Sequence, residues 1–415
     1  WRRTAGRTVA ALPGDGTENG KRTRWAICFI ALGAGIVSSF HLGKAPPALP
    51  LLRLELGLGL IAAGWVVTTF NFLAMTMGMV TGLFADAIGR YRLLLLGLAT
   101  LATGGLLGSV AEGTAGLLAS RFLEGLGFVT IIVAAPSLIG EAAAPGDRRL
   151  ALGIWSTYMP TGMALGLIVG PLVLAPFGWR GLWLAVAGVA VALLAVGLLA
   201  RGAQAPPPAG PVETPWRNIR LTLSRPGPWL LAGSFASFTL PWGGIAVWLP
   251  TFLVEEWGGS LGGAGLLTAV FVICNAVGNL ACAWLMHRGV VRWILIATPS
   301  VVNGFLAFGI FSEALADPLR YVLCLVFSAS GGFITATVLA GGPLHAPSPR
   351  QLGTTNGLLV QGTNLGFFLG APVTAWAVAA SGTWQATQWV ILACAVAGLA
   401  MALVLRGIER RLAGH

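Results

Sequence analysis

The segment Gly82-Leu83-Phe84-Ala85-Asp86-Ala87-Ile88-Gly89-Arg90-Tyr91-Arg92 lies between two long apolar runs of this chain. Residues 60–84 and residues 93–111 carry no formal charge. Each run is long enough to cross about 30 Å of hydrocarbon as a helix. Charges confined to the short segment between them, together with its glycines, predict a tight turn joining two membrane-spanning helices.

The composition agrees with a chain that crosses a membrane many times. Hydrophobic residues make up 56% of its 415 residues and charged residues only 9%, and the mean hydropathy is +0.82. Charged residues make up about a quarter of an ordinary soluble domain. About twelve apolar runs of roughly 20 residues are separated by short polar breaks, whereas strands of a membrane barrel are about half as long and alternate in polarity. The sequence therefore predicts an all-α polytopic membrane protein with about twelve transmembrane helices.

The net charge of +11 is explained by where the basic residues lie. If the N-terminus is cytoplasmic, twenty of the 25 Lys and Arg residues fall in cytoplasmic segments and four in outer segments, with Arg121 inside a span. This asymmetry follows the positive-inside rule and places both termini in the cytoplasm. We expect a bacterial inner membrane protein that binds no nucleic acid.

A repeat divides the chain into two halves. Shifting the sequence by 200 residues aligns identical residues, and the first-half members are Gly43, Leu49, Pro50, Leu152, Gly153, Gly162, Leu165, Gly166 and Gly170. Duplicated six-helix halves are typical of secondary transporters. The predicted domains are a disordered cytoplasmic tail at 1–24, an N-terminal six-helix bundle at 25–200, a cytoplasmic linker at 201–227, a C-terminal six-helix bundle at 228–406 and a cytoplasmic tail at 407–415.

Two motifs resemble those of the major facilitator superfamily. The pattern Gly82, Asp86, Gly89, Arg90 and Arg92 resembles the loop between the second and third helices of that family, although Ala87 stands where a basic residue is usual. Residues 121–127 resemble the family's fourth-helix motif, whose arginine is implicated in substrate or proton handling. Residues 44–50 look like the cyanate and nitrate-type permease branch. The resemblance implies two pseudo-symmetric bundles working by alternating access.

Ionisable residues within spans are candidates for the substrate site. Arg121 and Glu124 are three residues apart and share a helix face, as do His41 and Lys44. Because a charge in a span is costly unless it faces a cavity or a partner, we expect Arg121, Lys44 and His41 to bind an anion. The alternatives are a structural Arg121–Glu124 ion pair, a Lys44 side chain that reaches the headgroups or Glu55, and a His41 that only packs.

Glu124 is the candidate for proton coupling, because a low-dielectric environment favours protonation of a carboxyl group. Uncharged polar or aromatic residues are predicted to border the substrate path or to bond helices together, and these are Asn71, Trp155, Asn275, Gln361 and Asn364.

A second group of residues is predicted to act in gating. Gly162, Gly166 and Gly170, followed by Pro171, form a small-residue ridge suited to close helix packing. Packing without a gating role is the alternative. From the family resemblance, Gly82, Asp86, Gly89 and Arg90 are also expected to gate the cytoplasmic side, and a plain turn is the alternative for Asp86.

The leading hypothesis is a secondary transporter that imports a small organic or inorganic anion together with protons. A drug/proton exporter is the alternative, and a non-transporting membrane sensor is a more remote one. The sequence contains neither a Gly-x4-Gly-Lys-Ser/Thr phosphate loop nor a metal-ligand spacing. We therefore expect no enzyme activity, no cofactor and no metal. The expected partners are the lipid bilayer, a small anionic solute and protons, and the protein is expected to be a monomer.

Overall fold

The computed structural model describes residues 22–200, 215–348 and 351–413, and within them the chain is helical, with no strand. The first half contains α1 (Trp25–Gly43), α2 (Ala45–Leu56), α3 (Leu60–Thr68), a 3-10 turn (Thr69–Asn71), α4 (Phe72–Ile88), α5 (Arg90–Ser109), α6 (Thr114–Ala142), α7 (Arg148–Trp155) and α8 (Tyr158–Leu199). The rest contains α9 (Pro215–Leu223), α10 (Pro226–Glu255), α11 (Leu261–His287), α12 (Arg292–Ile310), α13 (Asp317–His345), α14 (Leu352–Ser381), a 3-10 turn (Trp384–Ala386) and α15 (Thr387–Ala413).

Eleven helical segments of the described residues are long and apolar enough to cross a membrane. One of them, Leu150–Leu199, has 50 residues and is long enough for two crossings. Gly178, with φ 65°, breaks α8 within this segment. The predicted turn between α4 and α5 is the single residue Gly89, whose φ of 91° favours glycine. The prediction of an all-α polytopic membrane protein is confirmed.

Two glycine ridges, at Gly162, Gly166 and Gly170 and at their repeat copies Gly362, Gly366 and Gly370, pack helices together within each half. A Cβ atom on Gly166 of α8 would lie 2.3 Å from the carbonyl carbon of Gly43 in α1. A Cβ atom on Gly370 of α14 would lie 2.5 Å from the carbonyl oxygen of Leu240 in α10. Both ridges therefore bring two backbones into contact, and the same pair of spans is joined in each repeat.

The two halves touch near both ends of the bundle. We call the end that carries Arg24, Arg90 and Arg148 the arginine-rich end, and the opposite one the Arg53 end. Contacts of α14 with α3 and α4 and of α8 with α11 join the halves. At the Arg53 end, Arg53 Nη1 donates to Glu255 Oε1 at 2.7 Å.

Some predicted boundaries fall differently in the structure. Residues 1–21 and 201–214, which contain most of the predicted tail and linker, lie outside the described residues. Helix α9 occupies part of the predicted linker, and α15 continues to Ala413 through the segment predicted as a tail. Gln351 Nε2 donates to Asn218 Oδ1 at 2.9 Å, which holds α9 against the residue preceding α14.

Candidate functional site

A break in the first span places a lysine at the centre of the N-terminal half. Helix α1 ends at Gly43 and α2 begins at Ala45, where Pro46 and Pro47 follow. Because proline has no N–H group, it cannot donate the bond that would continue α1. Lys44 stands at this joint, and its side chain is fully buried.

A second break lies opposite, at the 3-10 turn between α3 and α4. Arg121 of α6 binds the backbone just before that turn, donating from Nε to the Val66 carbonyl at 3.1 Å and from Nη2 to the Val67 carbonyl at 3.4 Å. It also donates from Nη1 to the His41 carbonyl at 2.9 Å. Arg121 therefore ties α6 to spans one and two together.

The carboxylate of Glu124 is shared by three side chains. Lys44 Nζ donates to Oε1 at 2.6 Å, and Arg121 Nη1 donates to Oε2. His41 Nδ1 lies 3.0 Å from the same Oε1 and 3.2 Å from Lys44 Nζ. All four side chains have 0% exposure, and we call them the buried ion cluster. Charges this deep are tolerated only when they are paired and hydrogen-bonded.

A tryptophan ring and the backbone of two glycines enclose the buried ion cluster. Lys44 Nζ lies 4.5 Å from the centroid of the Trp183 ring. On α5, a Cβ atom on Gly104 would lie 2.8 Å from Glu124 Cγ, and one on Gly105 would lie 3.1 Å from His41 Cε1. Larger residues at these two positions would push the cluster apart.

A small cavity lies between the halves, next to the cluster. In this conformation its volume is about 10 Å³, room for about one water molecule. Its lining residues are Leu42, Pro46, Val67, Thr68, Asn71, Met163, Gly243, Ala246, Val247 and Phe367. Asn71 Oδ1 is buried and has no hydrogen-bond partner among the described residues. Since Arg121 binds the Val67 carbonyl, the cluster stands directly behind this cavity wall.

The structure brings together the four predicted ionisable residues, but in this conformation both cations bind Glu124 and neither is exposed to a cavity. The alternative in which Lys44 reaches Glu55 is wrong, because Glu55 binds Trp179 and Arg180 instead. Substrate binding by Arg121, Lys44 and His41 and proton coupling by Glu124 remain predictions.

The other predicted path residues lie in varied surroundings. Asn71 lines the cavity, whereas Gln361 Nε2 crosses between the halves and donates to the Thr76 carbonyl at 2.7 Å. The remaining three bond or stack within their own half. Asn275 donates to the Ser328 carbonyl, Asn364 donates to the Val360 carbonyl, and Trp155 stacks on Tyr158.

The predicted gating residues also differ in what they contact. Arg90 binds Glu141 within the first half, and Gly162 packs α8 against Ile36 and Ser39 of α1. Pro171 contacts the other half, at Gly265 of α11. Gly82 and Asp86 belong to α4, but their side-chain surroundings lie outside the described part of the structure.

The polar centre of the C-terminal half was not predicted from the sequence. Trp242 Nε1 donates to Ser328 Oγ at 2.9 Å, and Ser328 Oγ donates to the Phe271 carbonyl at 2.6 Å. Trp183 beside Lys44 was missed too. Two sequence signals could have indicated the buried ion cluster. Pro46-Pro47 after Lys44 marks a helix break, and Gly104-Gly105 in the third span marks a close approach between helices.

Comparisons with known proteins agree with this architecture. A family model described as Major Facilitator Superfamily matches residues 27–351. The crystal structure of a bacterial homolog to the human lysosomal transporter Spinster, inward-facing and unoccupied, covers 92% of this chain and 96% of its own, with a TM-score of 0.69. At 16% identity, that likeness shows the fold, two helical bundles, and nothing more.

Two curated relatives are similar in sequence. The cephamycin export protein CmcT of Amycolatopsis lactamdurans is 30% identical over 256 residues, covering 60% of this chain and 49% of that protein. A protein described as the niacin/nicotinamide transporter NiaP of Bacillus subtilis is 22% identical, covering 82% of each chain. The chain thus spans about half the length of the cephamycin export protein.

Proposed function

The chain belongs to the Major Facilitator Superfamily, and from that premise we propose that this transporter exports amphipathic small molecules in exchange for protons. The observation that carries the proposal is the separation of charge from the cavity between the halves. The lining of that cavity is apolar except for Thr68 and Asn71, while the buried ion cluster stands behind the wall.

An apolar wall favours a cargo with an apolar body. Phe367, Met163 and Val247 offer such a cargo dispersion contacts and release of water, and Asn71 offers one hydrogen-bond acceptor. The name of the cephamycin export protein gives cephamycin as its cargo, which supports the same class of cargo here. A small, strongly hydrated anion would find no free cation among the described lining residues.

The buried ion cluster is the proposed source of proton coupling. Arg121 of the cluster donates to the carbonyl of Val67, which lines the cavity. Cargo that displaces Val67 would therefore disturb the hydrogen bonds of the cluster. Ionisable groups buried in a span are, by default, candidates for proton relays.

Import of a small anion with protons is the second candidate. With a neutral His41, the cluster sets two cations against one carboxylate, and this excess positive charge would suit an anion if the wall opened. The similarity to NiaP, whose name includes niacin, supports this alternative.

We further propose that the arginine-rich end faces the cytoplasm of a bacterial cell, with both termini there, and that the protein acts as a monomer. The positive-inside rule supports the orientation. Protease protection in right-side-out vesicles would test it, because cleavage in the linker should then occur only after the vesicles are opened.

Transport by reconstituted protein distinguishes the two candidates. We would measure uptake of radiolabelled cefoxitin, a cephamycin, and of radiolabelled nicotinate into proteoliposomes under imposed pH gradients. Exchange predicts that an acidic vesicle interior drives cefoxitin uptake above that of protein-free vesicles. Nicotinate uptake driven by an acidic exterior, without cefoxitin uptake, would overturn the exporter proposal in favour of anion symport.

A further inference from the structure

Building on the proton exchange proposed above, we infer that Lys44 and His41 carry the exchanged proton, while Arg121 and Glu124 keep fixed charges. The moving proton then belongs to a lysine–histidine pair at the break of the first span. We base this on which hydrogen-bonding positions of the buried ion cluster are occupied and which are free.

Arg121 and Glu124 have little freedom to change their charge. The guanidinium donates to three backbone carbonyls and to the Glu124 carboxylate. An arginine in a protein does not lose its proton. Glu124 accepts from Lys44 at one oxygen and from Arg121 at the other, so each carboxylate oxygen already faces a cation. A proton added there would remove the negative charge that both cations face.

His41 Nδ1 lies within hydrogen-bond distance of two groups that demand opposite roles. Toward Lys44 Nζ, at 3.2 Å, a ring nitrogen must accept if the lysine is an ammonium. Toward Glu124 Oε1, at 3.0 Å, it must donate. One nitrogen cannot do both at once, because a neutral imidazole has one donor and one acceptor nitrogen. The same atomic positions are therefore compatible with two protonation states of the Lys44–His41 pair.

Two proton transfers, with a net loss of one proton, connect the two states. In the first, Lys44 is an ammonium that donates to bare Nδ1, and Nε2 carries the ring proton. An Nζ–H bond then breaks, leaving its electron pair on Nζ, and an Nδ1–H bond forms to give an imidazolium. Loss of the Nε2 proton to water leaves Nδ1–H donating to Glu124. The pair has released one proton, and the cluster changes from a net charge of +1 to zero.

The other ring nitrogen is free to take part in this release. His41 Nε2 is buried and has no hydrogen-bond partner among the described residues. The ring lies against Gly105 of α5, which has no side chain to ionise. Lys44, Arg121 and Glu124 are therefore the charged groups that face the ring in the described structure.

Only two lysines occur in the sequence, Lys21 and Lys44, so the proton on Lys44 can be observed directly. The Lys21→Arg variant, labelled with ¹⁵N and ¹³C at the lysine side chain and placed in lipid nanodiscs, has a single lysine signal. We expect this signal to change from the ammonium to the amine form across the pH range in which a gradient drives transport. A signal that stays in the ammonium form throughout would overturn the inference.

Transport by variants provides a second test that does not depend on the spectrum. Lys44→Arg keeps a cation that cannot release its proton, and His41→Gln removes the acceptor ring while keeping a polar side chain. In both variants the uptake driven by an acidic vesicle interior should fall at least tenfold, and it should fall more than the exchange of labelled for unlabelled cefoxitin does. Lys21→Arg serves as the matched control and should match the native chain in both assays.

The two tests separate this inference from the proposed function. Gradient-driven cefoxitin uptake that survives in Lys44→Arg refutes the role of Lys44 while leaving cefoxitin export intact. A lysine signal that titrates in a protein that moves no cefoxitin refutes the cargo proposal but supports the proton site. If Lys44→Arg fails to fold, the signal of the Lys21→Arg protein still decides the question.

Discussion

The two halves of the molecule share a fold but differ in how their centres are filled. In the N-terminal half, four ionisable side chains meet between α1, α2 and α6. In the C-terminal half, Trp242 stacks on Phe271 and binds the Ser328 hydroxyl, with no charge involved. Near the fourth span the repeat has a shift of 205 instead of 200 residues, and it aligns Val326 and Ala329 with Arg121 and Glu124. The C-terminal half shows that this fold needs no ions at its centre.

That difference bears on why the ions are present. The free-energy cost of desolvating two buried charges is about as large as the gain from their attraction. Replacing such a pair by apolar residues of similar volume often leaves protein stability unchanged or increases it. Stability alone therefore does not account for the buried ion cluster. A role in transport, carried by one half only, gives the asymmetry a physical reason.

The largest effect is expected from Glu124→Gln. This change leaves Lys44 and Arg121 buried without a counter-charge, which should cost about 3–5 kcal/mol of unfolding free energy. Thermal denaturation of the purified protein in detergent would measure it. Glu256→Gln, at an exposed position, is the matched control. A Glu124→Gln protein as stable as its control would mean that water reaches the cluster.

The glycine ridges should respond alike in both halves. Gly166→Ala and Gly366→Ala each force a methyl group against an opposing backbone, at a cost of about 1–3 kcal/mol. Gly188→Ala, with open space around it, is the control. Loss of stability in only one of the two variants would show that the halves differ in packing as well as in charge.

A smaller effect is expected at the neutral centre. Trp242→Phe removes one hydrogen bond to Ser328 and keeps an aromatic ring, so the expected loss is about 1 kcal/mol, with a further contribution from the smaller ring. The same denaturation assay compares the loss of unfolding free energy in Trp242→Phe with that in Glu124→Gln. The difference shows how strongly the centre of each half depends on its polar bonds. Equal losses would contradict the contrast.

The smallest effect is expected where the halves meet at the Arg53 end. Arg53 and Glu255 are partly exposed, so Arg53→Gln should change stability by less than about 1 kcal/mol. Because this pair bridges the halves, the same variant should instead alter the rate of cefoxitin exchange. A large loss of stability with an unchanged rate would indicate a purely structural pair.

Much of the fold could be predicted from the sequence, since span length, the 200-residue repeat and the glycine turn at Gly89 depend on local composition. The pairing of Lys44 and His41 with Glu124 was harder to predict. His41 and Lys44 lie 83 and 80 residues from Glu124, respectively, and the sequence does not say which face of α6 turns inward. Spacing placed Arg121 beside Glu124, but the backbone carbonyls that hold Arg121 appear only where α3 breaks.

The helical part of the linker also escaped prediction. Residues 201–227 are rich in proline and arginine, a composition typical of an irregular segment, yet α9 forms within it. Its anchor is the tertiary hydrogen bond from Gln351 to Asn218, which no local pattern reveals.

One measurement tests the central claim most directly: the internal pH of proteoliposomes recorded while a cefoxitin gradient collapses. If the buried ion cluster exchanges a proton for cargo, cefoxitin leaving vesicles of the native protein should make their interior more acidic, and Lys44→Arg vesicles should show no such change. Cefoxitin efflux with a constant internal pH, or with protons leaving alongside it, would contradict the account.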